Sequence, residues 1–173
     1  VDEVEKFETI METARKAVLH FINDEPDDLK IYEMEHPDVL MWAVWCIQQY
    51  AKMVSREKCR EKYGELLETI MECLRRENHP NLFVHSNGLV YSHGFDKAIT
   101  WMNSTANGRP VINRTGYVVE FNALWYNALR FTADLLGEKE STVLTEELNE
   151  LAEKTGKSFV ETFLNEHGYL LDY

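Results

Sequence analysis

The chain is poor in residues that break regular structure and in the cysteines that cross-link small secreted domains. Its 173 residues include 8 glycines, 4 prolines and 3 cysteines. So little glycine and proline excludes a collagen-like or low-complexity chain. The cysteines, Cys46, Cys59 and Cys73, are odd in number and widely spaced, which argues against a disulfide framework or a CxxC metal site. We therefore expect reduced thiols in or near a core, and a cytoplasmic location.

Positive charge and long apolar runs are also scarce. The 18 Lys and Arg residues stand against 30 Asp and Glu residues, so the formal net charge is −12. Nucleic acids and anionic membranes are bound through clustered Lys and Arg, so neither is an expected partner. No apolar run reaches the roughly 20 residues that a membrane span needs, and the acidic N-terminus does not read as a targeting signal. A neutral or cationic partner stays open.

What the chain does contain is apolar residues at helical spacing. Hydrophobic residues make up 45% of it, and many recur at three- and four-residue intervals, as on one face of a helix. The stretches with this spacing are 4–23, 55–78, 120–137 and 143–164. Residues 39–47 are apolar on every side, which predicts a helix in the middle of a helical layer. We predict five helices in one domain, 1–173, with Ser55 as an N-cap and Gly137 as a C-cap.

The connections between these helices differ in character. Residues 23–37 are acidic and hold two prolines, so we expect a surface connection. Residues 81–94 alternate apolar and polar around Ser86-Asn87-Gly88, which predicts a β-hairpin. An irregular stretch rich in Gly and Asn runs from 103 to 116, and the final HGYLLDY predicts a strand or a loop. A long structured loop in a helical domain usually carries function.

Aromatic and amide side chains concentrate in this loop and at the start of the next helix. A sugar offers apolar C–H faces and many hydroxyls, so its site needs flat rings for stacking and fixed polar groups for hydrogen bonds. Trp101, Trp125 and Tyr126 suit stacking. Suited to hydrogen bonding are Asn103, Arg114, Glu120 and Asn122. The alternatives are a core position for each tryptophan and a loop-capping role for each asparagine.

Metal and cofactor chemistry find no support in the sequence. His79, His85 and His93 are six and eight residues apart, without partner cysteines or an HExxH pattern, so we expect no metal site. The chain also lacks a GxSxG motif, a phosphate-binding glycine loop and a dinucleotide fingerprint. We therefore expect no cofactor.

Three linked motifs lie in the loop and at the start of the next helix: Ile99-Thr100-Trp101-Met102-Asn103, Gly108-Arg109-Pro110-Val111-Ile112-Asn113-Arg114-Thr115-Gly116, and Val119-Glu120-Phe121-Asn122-Ala123-Leu124-Trp125-Tyr126-Asn127-Ala128-Leu129. Together they resemble the amylo-α-1,6-glucosidase domain of the glycogen debranching enzymes. The stretch HPDVLMWAVWCIQQY also resembles the family's D-x-x-L-W helix start, with Asp38, Leu40 and a one-residue displacement to Trp42. The resemblance covers residues 36 to 131 well.

The resemblance implies an all-α fold, a partial (α/α)₆ barrel with a long loop that carries a small β-hairpin. The family's barrel has about twelve helices, so the chain corresponds to about half of it. We expect a half-barrel to associate with a second copy or with the missing part, because its apolar helix faces are otherwise uncovered. The implied partner is glycogen or a branched α-glucan.

The resemblance also implies a reaction, hydrolysis of α-1,6-linked glucose with an inverting general acid and base. The family's acid is expected at the last position of Thr-Trp-Met-Asp, which here is Asn103, and an amide cannot donate that proton. Glu120 becomes the acid candidate, or else a ligand-orienting or arginine-pairing carboxylate. We expect the base beyond Tyr173, so that this chain alone is inactive. Sugar-facing walls are expected from Trp101, Tyr117 and Trp125, and hydroxyl-binding groups from Asn103, Arg114 and Asn122.

Two other functions stay open at this point. One is a related α/α-toroid hydrolase of the glucoamylase or trehalase type. The other is a glycan-binding or interaction module without catalysis, which Asn103 in the acid position keeps open.

Overall fold

Five α-helices and two short β-hairpins make up the part of the chain that the structure describes. A computed structural model describes residues 2–24, 34–94 and 97–172. The helices are α1 (Glu3–Ile22), α2 (Pro37–Met53), α3 (Arg56–Arg75), α4 (Val119–Gly137) and α5 (Val143–Phe163). The antiparallel hairpins are β1 (Leu82–Val84) with β2 (Val90–Ser92) and β3 (Thr105–Ala106) with β4 (Arg109–Pro110). The predicted all-α class and the first hairpin are confirmed.

Side-chain caps begin three of the helices. The side chain of Asp2 accepts from the backbone N–H of Val4, and that of Ser55 accepts from Lys58 at 3.1 Å. At α5, Thr142 and Thr145 each accept from the other's backbone N–H. Such caps satisfy amides that have no partner within the helix. At the C-terminal end of α4 the predicted cap is off by one residue. Gly137 is the last helical residue, and Glu138 is the C-cap.

The core lies where α2, α3 and α4 meet, and α4 packs along its length on α5. Its largest fully buried side chains include Tyr50, Tyr63, Phe121, Trp125 and Phe163. Burying one large apolar side chain contributes about 1.5–3 kcal/mol to the free energy of unfolding, so these core side chains stabilise the folded chain. All three cysteines are unpaired, with Cys59 and Cys73 buried and Cys46 half-buried.

Helix α2 corrects one expectation. Leu40, Met41 and Ile47 are buried, but Trp42 and Trp45 are 41% and 40% exposed. The helix is therefore not enclosed on every side. An all-apolar sequence holds no periodic signal to show which side of the helix is exposed.

Gly156 does not weaken α5, which runs through it without interruption. A Cβ built at Gly156 would lie 3.0 Å from Cε2 of Tyr126 on α4. The glycine thus permits the close approach of α4 and α5.

The connections show what the sequence predicted and what it missed. Residues 25–33 of the predicted surface connection lie outside the described part of the chain. The irregular 103–116 stretch contains the second hairpin, whose turn is Asn107-Gly108 with φ of 51° and 74°. Asn-Gly is the strongest short-range hairpin signal, so this hairpin was predictable. The final segment is a turn with one bridge between Leu164 and Leu170. No helix in the described ranges is both long and apolar enough to cross a membrane.

Candidate functional site

A buried arginine organises the loop before α4. The side chain of Arg114 is 2% exposed, and its Nη2 donates to both carboxylate oxygens of Glu120 in the first turn of α4. Its Nη1 lies 3.2 Å from a carboxylate oxygen of Asp172 and 3.6 Å from the sulfur of Met102. A buried guanidinium needs such partners because desolvation of an unpaired charge is costly.

Arg114 therefore joins segments that are distant in sequence. Met102 belongs to the first of the three motifs, Arg114 to the second and Glu120 to the third. The C-terminal segment joins them through Asp172, whose carbonyl also accepts from the backbone N–H of Val119 at 3.0 Å. The three motifs converge on one side chain, and this convergence fixes the loop against α4.

Glu120 has both oxygens engaged by the guanidinium. Of the roles that we weighed for it, arginine pairing is the one visible in these contacts. Its side chain is one-quarter exposed. Glu120 also lies at a helix N-terminus, where the helix dipole favours negative charge.

Asn122 holds the first hairpin rather than presenting its amide to the outside. It is fully buried. Its Oδ1 accepts from the backbone N–H of Val90 at 2.7 Å, and its Nδ2 donates to the carbonyls of Val90 and Val118 at 3.1 and 3.0 Å. The amide thus serves as a strand partner for β2.

Trp125 lies one turn further along α4 and is also fully buried. Its indole N–H donates to the carbonyl of Gly88 at 3.1 Å, and the Thr155 hydroxyl donates to the same carbonyl at 2.8 Å. Gly88 has φ of 86°, and a Cβ there would lie 3.1 Å from Thr155. Through these two hydrogen bonds, α4 and α5 both hold the turn of the first hairpin.

Trp101 and Asn103 lie on the surface of the loop. Trp101 is 61% exposed, and Asn103 is exposed beside it. Between them, the backbone N–H of Met102 donates to the hydroxyl of the buried Thr100 at 3.0 Å. Both candidate residues are accessible to a ligand, whereas Asn122 and Trp125 lie in the interior behind them.

Tyr117 lies at the edge of the first hairpin, half-buried. Its hydroxyl is 2.7 Å from Nδ1 of His85, and Asn87 donates to it at 3.3 Å. The backbone bonds between Ser92 and Gly116 hold this edge against β2. Tyr117 is thus part of the hairpin surface, and the Arg114 group lies on the other side of Gly116 in the chain.

Asp38 belongs to the D-x-x-L-W stretch, but no role was predicted for it from the sequence. It lies in the first turn of α2 and is 3% exposed. Its carboxylate accepts from the backbone N–H of Trp101 and from the indole of Trp42. Burial raises the pKa of Asp38, and these hydrogen bonds offset part of that rise.

This carboxylate brings two exposed tryptophans together. The side chain of Trp42 and the backbone N–H of Trp101 both bond Asp38, and the Trp45 ring lies edge-on to Trp42 with centroids 5.6 Å apart. Exposed tryptophans are uncommon, so the pair Trp42 and Trp45 is informative. The available signal was an Asp followed by tryptophans four and seven residues later, positions that share one helix face.

The three histidines considered as metal ligands do not come together in one site. His79 is buried, whereas His85 and His93 are exposed on the hairpin. In the described ranges, 2–24, 34–94 and 97–172, no group of three or more His, Cys, Asp or Glu side chains is arranged to hold a metal ion.

The described part of the chain is an all-α domain whose loop before α4 carries an exposed indole and an exposed amide. The sequence profile of the amylo-α-1,6-glucosidase family matches residues 8–173. The chain therefore belongs to this family, and the resemblance stated from its motifs is confirmed. Neither the search of curated proteins nor that of solved structures returned a match.

Proposed function

We propose that the chain supplies the glucan-binding part of an α-1,6-glucosidase site, which removes the single α-1,6-linked glucose at a branch point of glycogen or another branched α-glucan. The convergence of the three motifs on Arg114 carries this proposal. A net charge of −12 suits a neutral polysaccharide as partner. A cytoplasmic location, where a reserve glucan would be met, is part of the proposal.

In this proposal the exposed residues contact sugar and the buried ones position them. Trp101 stacks on a glucose ring and Asn103 binds hydroxyls, while the buried Asp38 helps to position the Trp101 loop. Tyr117 forms a wall. The supporting group, which holds the loop and hairpin from inside, consists of Arg114, Asn122 and Trp125.

The proposed reaction inverts the anomeric centre, with an acid and a base about 6.5–9.5 Å apart to leave room for water. Glu120 is the proposed acid and must release an oxygen from Arg114 to donate a proton. The base is proposed to come from residues outside these 173. On this account the chain alone binds glucan without hydrolysing it.

Association with further helices is part of the proposal. An apolar groove of about 590 Å³ runs between α4 and α5 and includes Tyr126 and Val160. A second groove of about 520 Å³ lies between α1 and α2 and includes Ile10 and Trp42. Both are suited to a partner helix, from a second copy or from the rest of a barrel.

The test of catalysis uses the enzyme that contains this chain. Glucose release is measured from a linear maltodextrin that carries one α-1,6-linked glucose. If Glu120 is the acid, Glu120→Gln lowers kcat by at least about a hundredfold, whereas the matched control Glu150→Gln, an exposed glutamate of α5, leaves it unchanged. Full activity in Glu120→Gln refutes the acid assignment.

A non-catalytic glycan-binding module is the second candidate. It is favoured by Asn103, which stands in the acid position, and by the engagement of both Glu120 oxygens with Arg114. It predicts that the containing protein binds branched dextrin without releasing glucose, and that Asn103→Asp installs measurable hydrolysis. Hydrolysis by the unaltered protein excludes it.

A further inference from the structure

The outer face of the first hairpin carries a row of aromatic rings. Phe83 and Tyr91 are directly opposed across β1 and β2, so their side chains share one face of the hairpin. The His85 ring stacks on Tyr91 with centroids 4.9 Å apart, and His93 lies edge-on to Phe83 at 5.8 Å. Tyr117 stands edge-on to both His85 and Tyr91, at 5.4 and 5.6 Å. We call these five residues the aromatic row.

The row is accessible on one side and anchored on the other. His85 and His93 are exposed, and Phe83, Tyr91 and Tyr117 are half-buried. The opposite face of the hairpin, with Leu82 and Val90, is buried in the core. The rings are therefore held by a rigid support, as a stacking surface requires.

A chain of hydrogen bonds links Asn87, Tyr117 and His85. The Oδ1 of Asn87 accepts from the backbone N–H of Leu89 at 3.0 Å, which directs its Nδ2 to the hydroxyl of Tyr117 at 3.3 Å. That hydroxyl lies 2.7 Å from Nδ1 of His85. Because the hydroxyl already accepts from Asn87, we infer that it donates to Nδ1, which places the proton of a neutral His85 ring on Nε2.

Ring faces bordered by a fixed N–H donor match the chemistry of a pyranose, with apolar C–H faces and acceptor hydroxyls. We propose that the aromatic row is a second glucan-binding surface, which holds the α-1,4-linked main chain while the Trp101 loop takes the branch glucose. This inference rests on the proposed function for the identity of the glucan.

The test is calorimetric titration of this chain with maltohexaose, a linear α-1,4 glucan, and separately with isomaltose. Tyr91→Val keeps a strand-forming residue, and His85→Ser removes the donor. Each is expected to weaken maltohexaose binding about three- to tenfold and to leave isomaltose binding unchanged. The matched control is Tyr169→Val, an exposed tyrosine of the C-terminal segment outside the row.

The outcomes separate this inference from the proposed function. Unchanged maltohexaose affinity in folded Tyr91→Val and His85→Ser overturns the aromatic row, as does no binding of maltohexaose to the unaltered chain. Loss of isomaltose binding in Trp101→Ala, with maltohexaose binding kept, supports two separate surfaces. If Trp101→Ala leaves isomaltose binding intact, the Trp101 loop fails as branch site while the row stands.

A spectroscopic readout covers the case in which Tyr91→Val does not fold. Tyr117→Phe keeps the ring and removes only the hydroxyl that donates to His85. The ¹⁵N shifts of His85 are expected to show the Nε2–H tautomer in the unaltered chain and a mixture in Tyr117→Phe, with weaker maltohexaose binding. The same tautomer and affinity in both proteins would overturn the inference.

Discussion

Arg114 and Glu120 form a two-oxygen ion pair at the start of α4, in which a single guanidinium nitrogen contacts both carboxylate oxygens. The same arginine contacts Asp172 and the sulfur of Met102. One buried cation thus links the loop, the helix and the C-terminal segment. This relationship makes Arg114 the point where the candidate site is most sensitive to substitution.

Arg114→Met is expected to lower the free energy of unfolding by about 3 kcal/mol, because it leaves the partly buried carboxylate of Glu120 without its cation. Urea unfolding at neutral pH measures this. The control is Arg130→Met, an exposed arginine of α4 that bonds Asn149, for which we expect a change below about 0.5 kcal/mol. Equal effects of the two changes would show that Arg114 is not the organising residue.

Gly88 and Gly108 form a matched pair for testing the clamp on the hairpin turn. Both have positive φ, but a Cβ at Gly88 would meet Thr155 at 3.1 Å, whereas one at Gly108 meets nothing within 4 Å. Gly108→Ala is expected to lower the free energy of unfolding by about 1 kcal/mol, from backbone strain alone. Gly88→Ala is expected to lower it by at least about 1 kcal/mol more, because its Cβ also meets Thr155. A thermal or urea unfolding series on both variants gives the difference, and its absence would mean that α5 does not hold the turn.

Asp38 predicts a pH-dependent stability. Burial raises the pKa of this carboxyl above its ordinary 3.8, so the folded state keeps the proton to higher pH than the unfolded state. The stabilisation is fully present below pH 3.8 and is lost as pH rises through the folded-state pKa. Relative to the unaltered chain, Asp38→Asn should therefore gain stability as the pH rises above 3.8. Asp134→Asn, at an exposed position, is the control, and a pH-independent difference would contradict the prediction.

His79 predicts a loss of stability on acidification. The ring is buried next to Phe21, and its Nδ1 accepts from the backbone N–H of Asn81 at 3.1 Å. Burial lowers the pKa of His79 from 6.5 to about 4. As the pH falls, His79 therefore binds a proton in the unfolded state before it does so in the folded state. The free energy of unfolding decreases by about 3 kcal/mol between pH 6.5 and pH 4.

Urea unfolding of the unaltered chain and of His79→Gln across that range measures the His79 effect. The variant is expected to lack this part of the acid sensitivity, whereas His167→Gln, at an exposed histidine, should keep it. Parallel stability curves for His79→Gln and the unaltered chain would rule the account out.

The helices were predictable because their signals are local. Apolar spacing and caps such as Ser55 lie within a few residues of the structure that they specify. The first hairpin was predictable from Ser86-Asn87-Gly88 for the same reason. The exposed face of α2 was not, because an all-apolar stretch holds no periodic signal to show which side meets solvent.

The residues that the sequence put forward for the site differ in where the structure places them. Trp101 and Asn103 lie on the surface, where a sugar can reach them. Asn122 and Trp125 are of the same residue types, but their polar atoms bond hairpin backbone 32 and 37 residues away in sequence. No local pattern distinguishes an amide that binds a strand from one that binds a ligand.

The sequence by itself determined the helical class, the Ser55 cap, the first hairpin and the family, since each depends on residue types at short, fixed spacing. The tertiary structure alone decided that Arg114 bonds Glu120 six residues away and Asp172 58 residues away. It also decided that Asp38 joins Trp42 to Trp101 and that the hairpin rings form one row. The physical reason is that these contacts arise only when distant segments pack around one core, which spacing along the chain does not encode.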